Sequence, residues 1–432
     1  MTDDLEHAVT ARKTGLILSG GGARAAYQVG VLLGISEILP AGSRQPFPII
    51  SGTSAGAINA LGLAGQAGNF RARARALASL WASLESESIY RTHLWGVSRN
   101  ALAILRAMVS RRYADRKALA LLDNAPLREL LKDAVKFTHI DRAIARGELD
   151  AIAVTAVNYT NGLTTTFYQS GHDIPPWLRS RRVAEPTELT IDHLLASSAL
   201  PTLFPATQIG GAWYGDGALR QTRPLSPAIH LGAERLLIIG VNEVARHGPA
   251  AEHELDNTPP SIPQVMGHMM NSVFLDAMDA DLETLEQINW LLEDLKHEAP
   301  QTDGPEPLRQ IDFLTISPSH SLAQIARDHI NDLPRSMRLF LKATGSIKEG
   351  GSGGALSYIL FEHRYCQKLI ELGYADAMAK RDDIRDFFGI AESTSGRRQR
   401  IRRPDRGPVV HKPLSAVKRA WYRLLGKRPS RV

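Results

Sequence analysis

The residues best suited to chemistry lie in one stretch, Ile49-Ile50-Ser51-Gly52-Thr53-Ser54-Ala55-Gly56-Ala57-Ile58. An apolar run with strand character ends in G-x-S-x-G, and small, helix-compatible residues follow at once. This is the pattern of a nucleophile elbow, a sharp strand-to-helix turn that presents a serine. Gly52 and Gly56 fit because backbone segments approach closely in such a turn. Ser54 would then stand at a helix N-terminus, where partial positive charge and unpaired N–H groups favour an alkoxide or oxyanion. The plainer alternative is a Ser/Gly loop ahead of an ordinary helix.

A second stretch runs from Thr14 to Leu32. Gly15 to Ser19 reads as a short buried strand, and helical spacing begins at Ala25. Between them stand Gly20, Gly21 and Gly22, followed by Ala23 and Arg24. Three glycines leave bare N–H groups that can converge on one point, an anion-binding nest. Gly20, Gly22 and Ala25 also match the dinucleotide fingerprint G-x-G-x-x-[GA]. That fingerprint wants an acidic residue at the end of the next strand. Here the next strand ends in Ser51-Gly52, and no Asp or Glu lies between Glu37 and Ser54, so no nucleotide cofactor is expected. A third stretch, Gly210 to Leu219, carries Asp216-Gly217 after the strand formers Trp213 and Tyr214. Asp216 is either a hairpin-turn aspartate or the base beside Ser54.

Taken together, these residues resemble the patatin-like phospholipase family. The family pattern is a glycine-rich oxyanion loop, a G-x-S-x-G serine and a distant D-G-[GA] aspartate. The resemblance implies Ser54 as nucleophile, Asp216 as its partner, and Gly20, Gly21 and Gly22 with Arg24 beside them as the oxyanion loop. Ala196-Ser-Ser-Ala-Leu-Pro-Thr-Leu-Phe-Pro205 looks like the family's stretch between serine and aspartate. Ala25 departs from the glycine often found after the loop arginine. The resemblance covers Lys13 to Val244 and is looser around Gly354 to Glu362. It implies a serine acyl hydrolase that cleaves fatty-acyl esters of phospholipids or related lipids through a Ser–Asp dyad. The alternative is a catalytically weak, membrane-associated lipid-binding protein that keeps the fold. An α/β-hydrolase would add a histidine after the acid. His230, His247, His253 and His268 follow Asp216, but none sits in an apolar-strand-end loop, so a dyad is expected rather than a triad.

These residues need a scaffold. Apolar runs at Leu149–Val157 and Arg235–Val241, a hairpin partner at Thr164–Tyr168 and a strand over 208–215 alternate with helical stretches. The alternation predicts an α/β fold: a central, mostly parallel sheet with helices on both faces, related to the α/β-hydrolases, plus C-terminal helices. Among those helices are Val273–Leu295, Ala355–Leu372 and Ala375–Phe388. The domain expectation is a flexible N-terminus over 1–12, a catalytic domain over 13–245, a helical extension over 246–392 and a basic tail over 393–432.

With 432 residues, 44% of them hydrophobic, the chain can bury a large core. The single cysteine, Cys366, excludes an internal disulfide framework and reads as a buried filler. No Cys/His metal constellation is visible. Met1 to Ala11 has no apolar core, and no apolar run reaches the ~18 residues of a membrane span. The expectation is a cytoplasmic protein, peripheral to the inner face of the membrane. The net charge of +6 is uneven: residues 396–432 hold 13 Lys or Arg against one acid, Asp405. Within that tail Leu414, Val417, Trp421, Leu424 and Leu425 fall on one helical arc beside Lys418, Arg419, Arg423 and Lys427. Such a segment fits a membrane surface, a solvated tail being the plainer reading and nucleic acid the less favoured partner.

Overall fold

The computed structural model describes residues 12–91, 100, 102–103, 106, 120–242, 276–294, 308–343 and 356–390. The basic tail and the segment around Trp95, Arg99, Arg111 and Arg112 lie outside them, as do His247, His253 and His268. Among the described residues, ten strands form one mixed sheet. They are β1 (Thr14–Leu18), β2 (Ile49–Thr53), β3 (Ala151–Asn158), β4 (Thr164–Ser170), β5 (Trp177–Arg179), β6 (Arg182–Pro186), β7 (Thr207–Ile209), β8 (Ala212–Asp216), β9 (Arg235–Ile239) and β10 (Asp312–Ile316). The order is β10-β9-β1-β2-β3-β4-β6-β5, and the first five strands of that path are parallel. Every residue of β1, β2 and β3 is buried, as strands covered on both faces must be.

One detail of register brings the two ends of the site together. β2 pairs with β3 only as far as Thr53 opposite Thr155. The other edge of β3 is taken by β4, antiparallel along its length. The edge left free beyond Thr155 is filled by β8, which runs antiparallel and sets Asp216 opposite Ala156. β2 and β8 therefore meet nearly end to end on one edge of β3, Thr53 and Asp216 one register step apart.

The helices are α1 (Ala26–Ile38), α2 (Ala55–Ala64), α3 (Phe70–Ala82), α4 (Ser86–Ile89), α5 (Ala125–Ala134), α6 (Phe137–Ala145), α7 (Ile191–Ser197), α8 (Ser226–His230), α9 (Ala277–Asp294), α10 (Leu322–Asp328), α11 (Arg335–Ala343), α12 (Leu356–Ile359), α13 (His363–Ala379) and α14 (Arg381–Phe388). They cover both faces. α1, α2, α3 and α13 bury Leu32, Leu61, Leu77 and Leu369 in the larger core, and α8 and α9 bury Ala228, Met278 and Leu285 in the smaller one. Cys366 is fully buried in the larger core.

Two expectations need correction, and two strands are added. The strand over 208–215 is a hairpin, β7–β8, because Gly210 and Gly211 both take positive φ (57° and 85°), a turn that glycine makes without strain. β5 and β6 were not anticipated; they are only three and five residues long, too short for a clear apolar alternation, and β5 forms the edge of the sheet. The closing helices do not divide near Gly373. They divide after Ile359 and at Lys380, and α13 runs straight through Gly373.

Gly373 is a crossing point, not a breaker. A Cβ there would lie 2.1 Å from the Tyr27 carbonyl oxygen, and one on Gly30 would lie 2.1 Å from that of Ile370. α1 and α13 thus touch backbone to backbone. Gly373→Ala should force the helices apart and destabilise the fold by about 1–3 kcal/mol, the usual cost of overpacking a tight core. Urea unfolding would measure it; an unchanged midpoint would mean that the crossing relaxes freely.

Candidate active site

Ser54 lies between the end of β2 and the start of α2 with φ 55° and ψ −130°, a left-handed conformation rare for any residue but glycine. The elbow glycines explain how the turn closes. A Cβ on Gly56 would sit 2.2 Å from the Leu18 carbonyl oxygen, and one on Gly52 would sit 2.5 Å from that of Gly56. The strain is held by a short relay. The Ser54 amide donates to Ser197 Oγ at 2.9 Å, and the Ser197 hydroxyl donates to the Thr155 carbonyl at 2.7 Å. Ser197 ends α7, so the elbow is tied to the sheet through a neighbouring helix.

Asp216 ends β8 with no exposed surface. Ser54 Oγ donates to Asp216 Oδ2 at 2.6 Å, and the Ala218 amide donates to Oδ1 at 2.9 Å. Burial pushes the carboxyl up to about 7, although these two hydrogen bonds pull the other way. No histidine among the described residues bonds to Ser54 or Asp216. His193 is engaged in the capping box of α7 through Thr190, and His230 stacks on Trp177.

The glycine loop follows β1. Gly22 opens a 3₁₀ turn, Gly22–Ala25, with φ 54°. A Cβ on Gly22 would fall 2.1 Å from the Tyr358 carbonyl oxygen. The amides of Gly21 and Gly22, both buried, find no acceptor among the described residues. Buried donors without partners are rare, and here they adjoin the serine. Arg24 follows these glycines, within the 3₁₀ turn that Gly22 opens. Its buried guanidinium donates from Nε to Ser357 Oγ at 2.8 Å and lies 4.1 Å over the Tyr358 ring, so it fastens the loop to the segment ahead of α13.

The loop is braced from below by residues that the sequence reading did not single out. Gln28 donates to the Ser19 carbonyl at 2.8 Å, and Asn59 donates to Gln28 Oε1 at 2.9 Å and to the Ala25 carbonyl at 3.0 Å. Gln28 and Asn59 are fully buried polar side chains on α1 and α2. A polar residue interrupting an apolar helix was the only signal in the sequence, and it reads equally as an exposed face. Gln221 similarly accepts from Thr53 Oγ1 at 2.7 Å, just behind the elbow.

An apolar pocket opens on Ser54 and Gly22. Its walls come from α3 (Leu80, Trp81), α5 (Leu127, Leu131), the turn after α7 (Leu200, Phe204) and Phe361. Among the described residues no group of three or more His, Cys, Asp or Glu could hold a metal ion, and no helix is long and apolar enough to cross a membrane.

The chain resembles known proteins in the same region. Residues 16–229 match the model of the patatin-like phospholipase family. A cGAMP-activated phospholipase of Pseudomonas aeruginosa (strain BWHPSA011 / Pa011) is 28% identical over 210 residues, covering 48% of this chain and 53% of that protein. The chain therefore spans about half the length of the curated relative it matches. Two solved structures overlap at low similarity. VipD from Legionella pneumophila has a TM-score of 0.31 and 12% identity over 84% of this chain and 67% of its own. Human GIVD cytosolic phospholipase A2, in complex with methyl gamma-linolenyl fluorophosphonate and terbium chloride, has a TM-score of 0.36 and 11% identity over 88% of this chain and 59% of its own. Residues 16–229, which hold the glycine loop, Ser54 and Asp216, belong to the patatin-like phospholipase family.

Proposed function

We propose that this chain is a serine acyl hydrolase that cleaves fatty-acyl esters of phospholipids or related lipids, with Ser54 as nucleophile and Asp216 as general base. The observation that carries the reading is the 2.6 Å hydrogen bond to the buried Asp216 carboxylate from the Oγ of Ser54, a residue that also lines an apolar pocket. As the ester carbonyl is attacked, the Ser54 proton passes to Asp216, whose affinity near pH 7 suits a base that must accept a proton and return it. The carbonyl oxygen takes up the negative charge, and the Gly21 and Gly22 amides donate to it; removing one such donor typically costs about 10²–10³ in turnover. Protonated Asp216 then delivers its proton to the leaving alcohol. Water, deprotonated by the same carboxylate, attacks the acyl-Ser54 ester and releases the fatty acid. The dipole of α2 adds positive potential at the oxyanion.

The apolar walls supply the reason for a fatty acyl group. An alkyl chain gains about 0.8 kcal/mol for each methylene removed from water. A fluorophosphonate probe carrying an alkyl chain should label the wild-type protein at Ser54 and leave Ser54→Ala unlabelled. Labelling of the alanine variant at equal rate would assign the nucleophile elsewhere. A labelled protein that hydrolyses neither a soluble p-nitrophenyl ester nor a phospholipid would instead point to a lipid-binding protein that keeps the fold.

A further inference from the structure

We infer that the end of the sheet from which Ser54 and Asp216 emerge is a docking face for an anionic lipid bilayer, formed by the tips of the β3–β4, β5–β6 and β7–β8 hairpins. The register places all three tips together. β4 starts where β3 finishes, with Thr164 opposite Val157. β6 starts level with β4, Arg182 beside Thr164, and β5 ends there, Arg179 opposite Arg182. β8 reaches past the end of β3: Tyr214 lies opposite Asn158, and the Tyr159 amide donates to the Trp213 carbonyl at 2.8 Å. The elbow leaves β2 at this same end, Thr53 lying opposite Thr155.

The side chains gathered there suit a membrane interface. Tyr159, Leu178 and Trp213 are 45%, 69% and 42% exposed, three of the few large hydrophobic residues exposed among those described. Tyr and Trp favour the headgroup layer, where an apolar ring and a polar edge are both satisfied. Around them stand exposed arginines. Arg179 and Arg181 flank the tip of β5–β6, and Arg220 donates to the Gly162 carbonyl at 2.8 Å in the β3–β4 turn. Arg182 is close enough to Arg179 and Arg223 for their charges to act on it. Asp281, whose charge also acts on Arg182, is paired with Arg223 at 3.0 Å. Guanidinium groups recognise lipid phosphates through paired N–H donors. Charging an edge hairpin also blocks strand addition, but that purpose calls for neither an exposed Leu178 beside Arg179 nor the exposed aromatics Tyr159 and Trp213 on the two other hairpins. An acyl ester drawn from a bilayer bound here would meet the pocket of Ser54 without leaving the interface.

The inference rests on the lipid-ester reading for its purpose, not for its test. The full chain is sedimented with vesicles of phosphatidylglycerol and phosphatidylcholine, and with phosphatidylcholine alone. Each cation near an anionic leaflet contributes about fivefold in partitioning, so Arg179→Glu/Arg181→Glu should lower binding to the mixed vesicles at least about 10-fold. Leu178→Ser/Trp213→Ser should lower it by a similar factor through lost insertion. Binding to phosphatidylcholine alone should be weak for every variant. Turnover of soluble p-nitrophenyl butyrate, with circular dichroism, should match wild type in both. Mixed-vesicle binding equal to wild type in both double variants would overturn the inference, as would loss confined to variants that have also lost their circular dichroism. Failure of wild type to hydrolyse the soluble ester would count against the acyl-hydrolase reading and leave the vesicle result to be read on its own.

Discussion

Ser54→Ala and Ser54→Gly are each expected to lower turnover of a fatty-acyl ester by about 10⁴-fold or more, with the glycine variant the more stable of the two by about 1–2 kcal/mol. Both substitutions remove the nucleophile and the hydrogen bond to Asp216, so their difference isolates the backbone. At φ 55° and ψ −130° a side chain with a Cβ is strained, by about 1–3 kcal/mol at such positions. Glycine relieves that strain and costs up to about 1 kcal/mol through the greater freedom it gives the unfolded chain. The structure tolerates the strain because the Ser54 amide is anchored through Ser197 to Thr155 and the glycines on either side let the turn close. Chemical denaturation of both variants, with turnover measured on the same preparations, reads both halves of the prediction. Equal stability of the alanine and glycine variants would mean that the turn holds no strain energy.

The elements that carry this geometry were unequally legible in the sequence. Ser54 and Asp216 were legible because a nucleophile elbow and a strand-end Asp-Gly impose short, local patterns. The parallel strands were legible too, since burial on both faces leaves apolar runs such as Leu236–Ile239 of β9. What brings the two residues together was not. β8 takes the edge of β3 that β2 leaves free, and this brings together Ser54 and Asp216, 162 residues apart. Gln28, Asn59 and Ser197 were illegible as braces for the same reason: each acts through a partner remote in sequence, and a lone polar residue in a helix carries no mark of what it bonds. Gly373 misled in the other direction. Glycine is a weak helix former, and only the approach of α1 shows why one is needed inside α13. The segment ahead of α13 lies beyond the matched residues 16–229, yet it supplies Ser357 to Arg24 and Phe361 to the pocket wall.

Asp216→Asn should lower turnover by about 10³–10⁴-fold and make the fold more stable above neutral pH. The two effects share one cause. Burial without a cation raises the Asp216 carboxyl from an ordinary value of 3.8 to about 7. The folded state therefore binds the proton more tightly than the unfolded state does. The stability this gives the protonated group is fully present below pH 4 and is lost as pH rises to about 7; above that, holding the charge in the core costs about 4 kcal/mol at 1.36 kcal/mol per unit. Asparagine keeps the shape, can accept from Ala218 and does not titrate. The stability difference between Asp216→Asn and wild type should thus grow in favour of the variant from pH 5 to pH 7 and level off above it. In wild type, kcat/KM for a soluble ester should rise with pH along a single acid limb centred near 7, because only the ionised carboxylate can take the Ser54 proton. Urea unfolding of both proteins at pH 5, 6, 7 and 8, beside a pH–rate profile, tests the pair of claims. A stability difference that stays flat across that range, or a rate limb centred near pH 4, would show Asp216 ionised well below neutrality and remove the case for it as a base tuned by burial.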